Sequence, residues 1–391
     1  MSTSVDGILP KLVLHFDVNE TILLVDEAGG DTFEDCLNKI ICKTALVNKE
    51  LDSNGLPTLW ADNQPINTKT PPPLCTDWLW PEGATSYYRA GIHAKEKAKK
   101  FTEHGYPGAQ YRSLYKELEN AVRWNRTTSF FDDNEMKNET ELISPPDPRL
   151  SHDGVHHFLL PAFFKTITEL KKRGRSFAIV IRTFGTDVED VVNALQAFSE
   201  GKHLTKFQPV VHEMSQGKDN IYMGQYSRDT GKFQLTKKKH TTGKDEAIII
   251  TDEGEINCIL QGDRDGISCV ACTDDYQWWR SNNYSPSHGK PLYLTTEDDN
   301  YLPIFFDDNI HNDPNDSIVA IRQRTSVNDV SFSPLSGEET VSMQFKHLIK
   351  VPTVAPILNE NYFLEQIEKC EKNFLQRKLN KKNGEEKSNK L

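Results

Sequence analysis

Apolar positions fall into two rhythms along this chain. Three runs are nearly continuous: residues 11–16 (KLVLHF), 177–181 (FAIVI) and 300–306 (NYLPIFF). Runs that short and without alternation suit strands covered on both faces, as in a parallel sheet between helix layers. The second rhythm is helical. Phe33, Leu37, Ile40 and Ile41 fall on one face of residues 31–47, and Leu114, Leu118 and Val122 on one face of 111–124. Pro161 suits a first helical turn; Phe163, Ile167 and Leu170 follow as a stripe, and Gly174 stops it. After the 177–181 run, Thr186 with Glu189 reads as a capping box, Val188, Val192, Leu195 and Phe198 as a stripe, and Gly201 as the stop. Helix, buried strand, polar turn, helix is the grammar of an α/β protein with a doubly wound parallel sheet.

Other stretches carry weaker signals. Residues 207–211 and 247–250 read as further strands, and 221–235 as a hairpin around Asp229-Thr-Gly231. Lys237 to Lys239 reads as a solvated loop. Residues 138–153, with Pro145, Pro146 and Pro148, read as a hinge. Phe363, Ile367, Cys370 and Phe374 form a stripe that docks a C-terminal helix over 351–375, and the Lys- and Asn-rich residues 376–391 read as a disordered basic tail. Four of the six tryptophans (60, 78, 80 and 124) lie between residues 31 and 150, which points to a small core of their own or a lid.

At 391 residues the chain exceeds one ordinary domain, so one core with insertions or two domains is expected. A net charge of −11, from 46 basic and 57 acidic residues, argues against a broad nucleic-acid surface. No apolar run is long enough to span a membrane, and no signal-type stretch precedes residue 11. The seven cysteines are odd in number and scattered, which fits reduced thiols in a cytoplasmic protein; Cys269 and Cys272 make one CxxC with no second pair, so zinc is not expected.

Chemistry enters where the apolar runs stop. The first ends on Asp17, followed by Val18, Asn19, Glu20 and Thr21; the third ends on Asp307 and Asp308; the second ends on Arg182 and Thr183. A carboxylate closing a buried strand is costly unless something pairs with it, and the C-terminal edge of a parallel sheet collects ligands. Asp17 is therefore either a structural cap or a reactive group. Lys290, between Gly289 and Pro291, is a cation ahead of the last acids, a place that Lys237, Lys239 and Lys244 could also fill.

These elements together resemble the haloacid dehalogenase superfamily of phosphatases and phosphotransferases. Its first motif, strand then Asp-x-Asp-x-Thr, stands here as Asp17-Val-Asn19-Glu-Thr21; its second is matched by Thr183, its third by Lys290, its fourth by Asp307 and Asp308. The resemblance implies a core from residues 1–30, 151–212 and 287–350, a mainly helical cap over 31–150, and a smaller β-containing insertion over 213–286. It implies Mg²⁺ held by Asp17, the carbonyl of Asn19, Asp308 and Asp307, and an aspartyl-phosphate on Asp17 formed from a phosphorylated small molecule. Lys290 would steady Asp17 and the phosphoryl oxygens, and the Thr183 hydroxyl would donate to the phosphate. The family's acid–base Asp is replaced by Asn19, which cannot ionise. That departure leaves a phosphotransferase, or a binding or regulatory protein on the same fold, as alternatives to a phosphohydrolase.

Overall fold

The computed structural model of the chain describes residues 9–24, 30–66, 72–91, 94–124, 145–203, 214, 219–241, 244–262 and 268–388. It is a mixed α/β structure around one large sheet. The first run forms β1 (Lys11–Asp17). Its alternate residues serve different cores: Leu12, Leu14 and Phe16 join one cluster, Val13 another, and His15 stacks on Phe305 at 5.4 Å between ring centres. Phe16 is wedged between Phe306, Phe163 and Phe363, with ring centres 4.8 to 5.2 Å away.

Next come α1 (Phe33–Thr44), the short pair β2 (Leu46–Asn48) and β3 (Ala84–Ser86), α2 (Ala94–Ala98) and α3 (Arg112–Ala121). A capping box between Thr32 and Asp35 opens α1, and the chain turns extended at Ala45, so Val47 lies in a strand instead of the predicted helix. These elements share a core built on Trp60, Tyr87, Phe101 and Leu118. The tryptophans do not form it together: Trp124 belongs to the main sheet core, and Trp78 packs against a cluster around Trp279.

The chain then runs through α4 (Pro161–Lys172), β4 (Phe177–Thr183) and α5 (Val188–Ser199). Pro161 does open α4, and Gly174 and Gly201 follow their helices in the left-handed conformation. The Thr186 capping box is not formed. The N-cap of α5 is Asp187, whose side chain makes no capping bond because it is engaged elsewhere.

Residues 221–226 and 233–250 supply β5 (Ile221–Tyr226), β6 (Phe233–Thr241) and β7 (Lys244–Ile250); α6 (Glu253–Leu260), β8 (Ser268–Thr273) and α7 (Tyr276–Ser281) follow. The predicted hairpin is present as the antiparallel β5–β6 pair. Lys237 to Lys239 lie within β6, paired to β7, not in a loop. The predicted strand at 207–211, and residues 138–144 of the predicted hinge, lie outside the described residues.

Last come β9 (Lys290–Thr295), β10 (Tyr301–Asp307), β11 (Val319–Arg324), β12 (Ser333–Pro334), α8 (Gly337–Val341), β13 (Leu348–Lys350), α9 (Val354–Leu358) and α10 (Tyr362–Ser388). Phe363, Ile367, Cys370 and Phe374 dock α10 as the stripe predicts. The helix does not stop at Gln376: a docked stripe supplies the nucleus, and the helix propagates through the Lys- and Glu-bearing stretch to Ser388. No helix among the described residues is long and apolar enough to cross a membrane.

The main sheet has the order β13-β10-β1-β4-β8-β5-β6-β7. All pairs up to β8–β5 are parallel, and β6 and β7 extend the edge antiparallel. The stretch 213–286, expected as an added unit, thus contributes four strands to this sheet, one of them, β8, beside β4. Setting aside the β5–β7 meander, the five parallel strands follow the order 3-2-1-4-5 in chain sequence. That order reverses between β1 and β10, and a crevice outside the carboxyl ends at such a point is where doubly wound sheets bind ligands. A second sheet, β12-β11-β9, carries Lys290 at the start of β9.

Candidate active site

Three backbone paths meet at that crevice. Asp17 ends β1, Asp307 ends the neighbouring β10, and Lys290 arrives from the second sheet. The approach of β9 depends on Gly289, where a Cβ would lie 2.0 Å from the Ile318 carbonyl oxygen. Lys290 is buried and its ammonium donates to Asp17 Oδ1 at 2.5 Å and to Asp307 Oδ2 at 2.9 Å. The other Asp17 oxygen accepts from the Thr21 hydroxyl at 3.1 Å, and the backbone N–H of Asp308 donates to that same hydroxyl at 3.2 Å. Asp308 Oδ1 accepts from Asn309 and its Oδ2 from Lys43, at 2.8 and 3.3 Å. Asp17, Asp307 and Asp308 each offer a carboxylate oxygen, and these oxygens lie within 4.8 Å of one another.

The cluster holds more negative charge than its lysines balance. Burial, then repulsion from Asp307, pushes the Asp17 carboxyl well above the ordinary range against the pull of Lys290. Burial raises Asp308 to about 6, with Lys43 opposing and Glu20 and Asp307 adding to it. Burial disfavours the charge on Lys290, but Asp17 and Asp307 outweigh it and hold the ammonium above its usual range. Three converging hard oxygen donors with surplus negative charge form a donor set that fits a divalent cation such as Mg²⁺. One buried acceptor nearby, Asn19 Oδ1, has no hydrogen-bond partner among the described residues.

Thr183 and Asn19 lie on the β4 side. Asp17 is level with Arg182 in the β1–β4 register, so Thr183 projects one residue beyond it. The Thr183 hydroxyl accepts from the Gly185 N–H at 2.8 Å, and its own proton has no acceptor among the described residues. Asn19 Nδ2 donates to Asp187 Oδ2 at 3.1 Å. A Cβ on Gly185 would lie 2.5 Å from Asp187 Oδ2, 3.2 Å from Asn19 Nδ2 and 3.3 Å from Thr183 Oγ1, so a larger residue here would have to displace the Asp187 carboxylate. The structure therefore gathers Asp17, Lys290, Asp307 and Asp308 into one bonded group, with Asn19 and Thr183 crowding Gly185 beside it. Of the alternative lysines, Lys237 and Lys239 lie in β6 and Lys244 in β7, beyond β8 and β5 from the β1–β10 crevice.

Several participants escaped sequence reasoning. Lys43 of α1 bridges Glu20 and Asp308, and Glu20 sits in the left-handed backbone region at φ 60°. Lys350 ties down the loop after β10 through the carbonyls of Asp308 and Ile310, both at 3.2 Å. Arg182 is fully buried and clasps Asp274 with two bonds, at 2.9 and 2.6 Å, and donates to the Pro291 carbonyl at 3.0 Å. It thereby joins β4, the loop after β8, and β9 next to Lys290. Its one sequence signal is a charge directly after an apolar run. Arg182→Met should cost about 3–5 kcal/mol, since Asp274 is left buried and unpaired. Urea unfolding checks this, and a cost under about 1 kcal/mol would show that Asp274 finds another partner.

The chain matches no family model, no curated protein and no solved structure.

Proposed function

We propose that the protein is a Mg²⁺-dependent phosphohydrolase that moves the phosphoryl group of a small phosphomonoester onto Asp17. The observation that carries this reading is the convergence of three carboxylates, two of them bonded to one buried lysine, at the switch point of the sheet. An oxygen of Asp17 forms a bond to phosphorus as the bond from phosphorus to the leaving oxygen breaks. Lys290 holds the Asp17 carboxylate in place and neutralises phosphoryl charge, and Thr183 offers its free proton to a phosphoryl oxygen. Water then attacks phosphorus, releases inorganic phosphate and restores the carboxylate. Mg²⁺ held by Asp17, Asp308 and the Asn19 carbonyl, with Asp307 beside it, would neutralise phosphate charge and align it for attack. In this reading residues 31–150 act as the lid, with Lys43 and Arg89 of that segment reaching Asp308 and Asp316.

Asn19 favours a second reading, a binding protein or phosphotransferase, because no ionisable group stands at that position. Turnover of acetyl phosphate by the pure protein with Mg²⁺ separates the two, since its leaving group needs little protonation. No turnover of acetyl phosphate or para-nitrophenyl phosphate would remove the phosphohydrolase reading.

Metal binding has its own signature. Asp308 keeps its proton in the folded chain where the unfolded chain has lost it, so its contribution to stability without metal falls as pH rises from 3.8 through about 6, and the raised Asp17 carboxyl acts in the same direction. A cation competes with those protons, so stabilisation by Mg²⁺ should grow over the same window. Melting curves with and without Mg²⁺ should diverge by a few degrees above pH 6 and converge near pH 4, and Asp308→Asn should abolish the divergence. A pH-independent difference would place the cation elsewhere.

A further inference from the structure

Beside the acids lies a cavity of about 590 Å³ with the opposite electrical character. Asp308 and Asn309 belong to its lining. Four cations, Lys43, Arg89, Lys95 and Lys350, line it against two carboxylates, Asp308 and Asp316, in a chain whose net charge is −11. Burial, then Lys350, Arg89 and Lys43, hold His311 on its wall far below the usual imidazole range. Lys95 has no acidic partner among the described residues; its ammonium lies 5.6 Å from the centre of the Tyr88 ring.

Part of the wall is aromatic. Trp279 and Tyr284 meet edge to face with ring centres 4.9 Å apart. Tyr284 and Asn283 both take left-handed backbone conformations, at φ 59° and 54°. Non-glycine residues hold that conformation at a cost in energy, and such strain collects at ligand sites. Here it presents a tyrosine ring that is 42% exposed.

Resting on the phosphohydrolase reading above, we infer that this cavity holds the leaving group of the substrate, and that the leaving group carries a flat aromatic ring and a second anionic group. A nucleoside bisphosphate has that chemistry, and a sugar phosphate lacks the ring. The scissile phosphate lies at the Asp308 end, the ring packs against Trp279 and Tyr284, and the second anion meets Lys95 and Arg89. A cavity of this volume admits a ligand of that size. The acid cluster takes a cation and the basic cavity takes the anion, each relieving the charge surplus of its own half.

Thermal-shift titrations of the full chain with Mg²⁺ test this with four probes: inorganic phosphate, a hexose 6-phosphate, adenosine 5′-monophosphate and adenosine 3′,5′-bisphosphate. The monophosphate should bind about tenfold tighter than inorganic phosphate, and the bisphosphate about fivefold tighter again. The hexose phosphate should gain little over inorganic phosphate. Tyr284→Ala should erase the first step and Lys95→Glu the second, each read as a ratio between probes in the same variant. A hexose phosphate that binds as tightly as the adenosine monophosphate, or ratios unchanged in both variants, would overturn the substrate class and leave the phosphohydrolase reading standing. Nucleotide binding indifferent to Mg²⁺ and to competing inorganic phosphate would overturn the reading on which the inference rests. Failure of all four probes to bind would overturn both.

Discussion

Asp17→Asn is expected to abolish turnover of every phosphomonoester, by at least about 10⁴-fold, while the protein stays folded. The activity loss follows from the proposed covalent step, since an amide oxygen is a far weaker nucleophile and forms no stable acyl phosphate. The retained stability follows from the electrostatics. Asp17 sits among Asp307 and Asp308, and burial already opposes its charge. Removing one charge from that crowd relieves repulsion, and Lys290 keeps Asp307 at 2.9 Å as its counter-ion. The amide still offers an oxygen to Lys290 or to the Thr21 hydroxyl. Most substitutions of a buried charged residue behave differently, because they strand a partner. Two measurements on one sample decide the matter: turnover of para-nitrophenyl phosphate, and the urea midpoint. A variant that keeps a tenth of the activity would show that Asp17 is not the attacking group. A variant that unfolds would show that the carboxylate is structural, the alternative that the sequence leaves open.

Legibility in the sequence followed the range of the interaction. Asp17 and Asp307 stand out because each closes a near-continuous apolar run, where a carboxylate has to be a cap or a reactive group. Lys290 stands out for its neighbour, and the reason for Gly289 is now physical: the Ile318 carbonyl occupies the space of a Cβ. Strand β8 was hidden because its residues, Ser-Cys-Val-Ala-Cys-Thr, are small and make no strong apolar run, yet they fit a place between two strands. Lys43, Lys350 and Arg182 were hidden for another reason. Lys43 meets an acid 265 positions away and Arg182 one 92 positions away, and no local pattern encodes such a pairing. The Thr186 capping box failed for a related cause. The turn after β4 offers both a threonine and an aspartate to the helix end, and the distant Asn19 amide claims the aspartate.

That pairing shapes what Asn19→Asp should do. General acid–base catalysis is typically worth about 10²–10⁴-fold, and the native amide cannot supply it. An aspartate at position 19 would place a second carboxylate about where Asn19 Nδ2 now donates, 3.1 Å from Asp187 Oδ2. Two carboxylates at that separation share a proton, and the second proton is retained to higher pH than either group would hold alone. A proton kept at neutral pH is what an alkoxide leaving group requires. Turnover of alkyl phosphates should therefore rise by about 10²-fold or more in Asn19→Asp, while turnover of acetyl phosphate changes little, because that leaving group needs no proton. Adding Asp187→Asn removes the repulsion and gives the new carboxylate a donor again. The double variant should keep the gain at low pH and lose it as pH rises, so its optimum on alkyl phosphates should lie below that of the single variant. Profiles of kcat against pH on both substrates for the three proteins provide the check. An alkyl phosphate rate unchanged in both variants would mean that position 19 does not face the leaving group, and the low acid–base capacity of this site would need another cause.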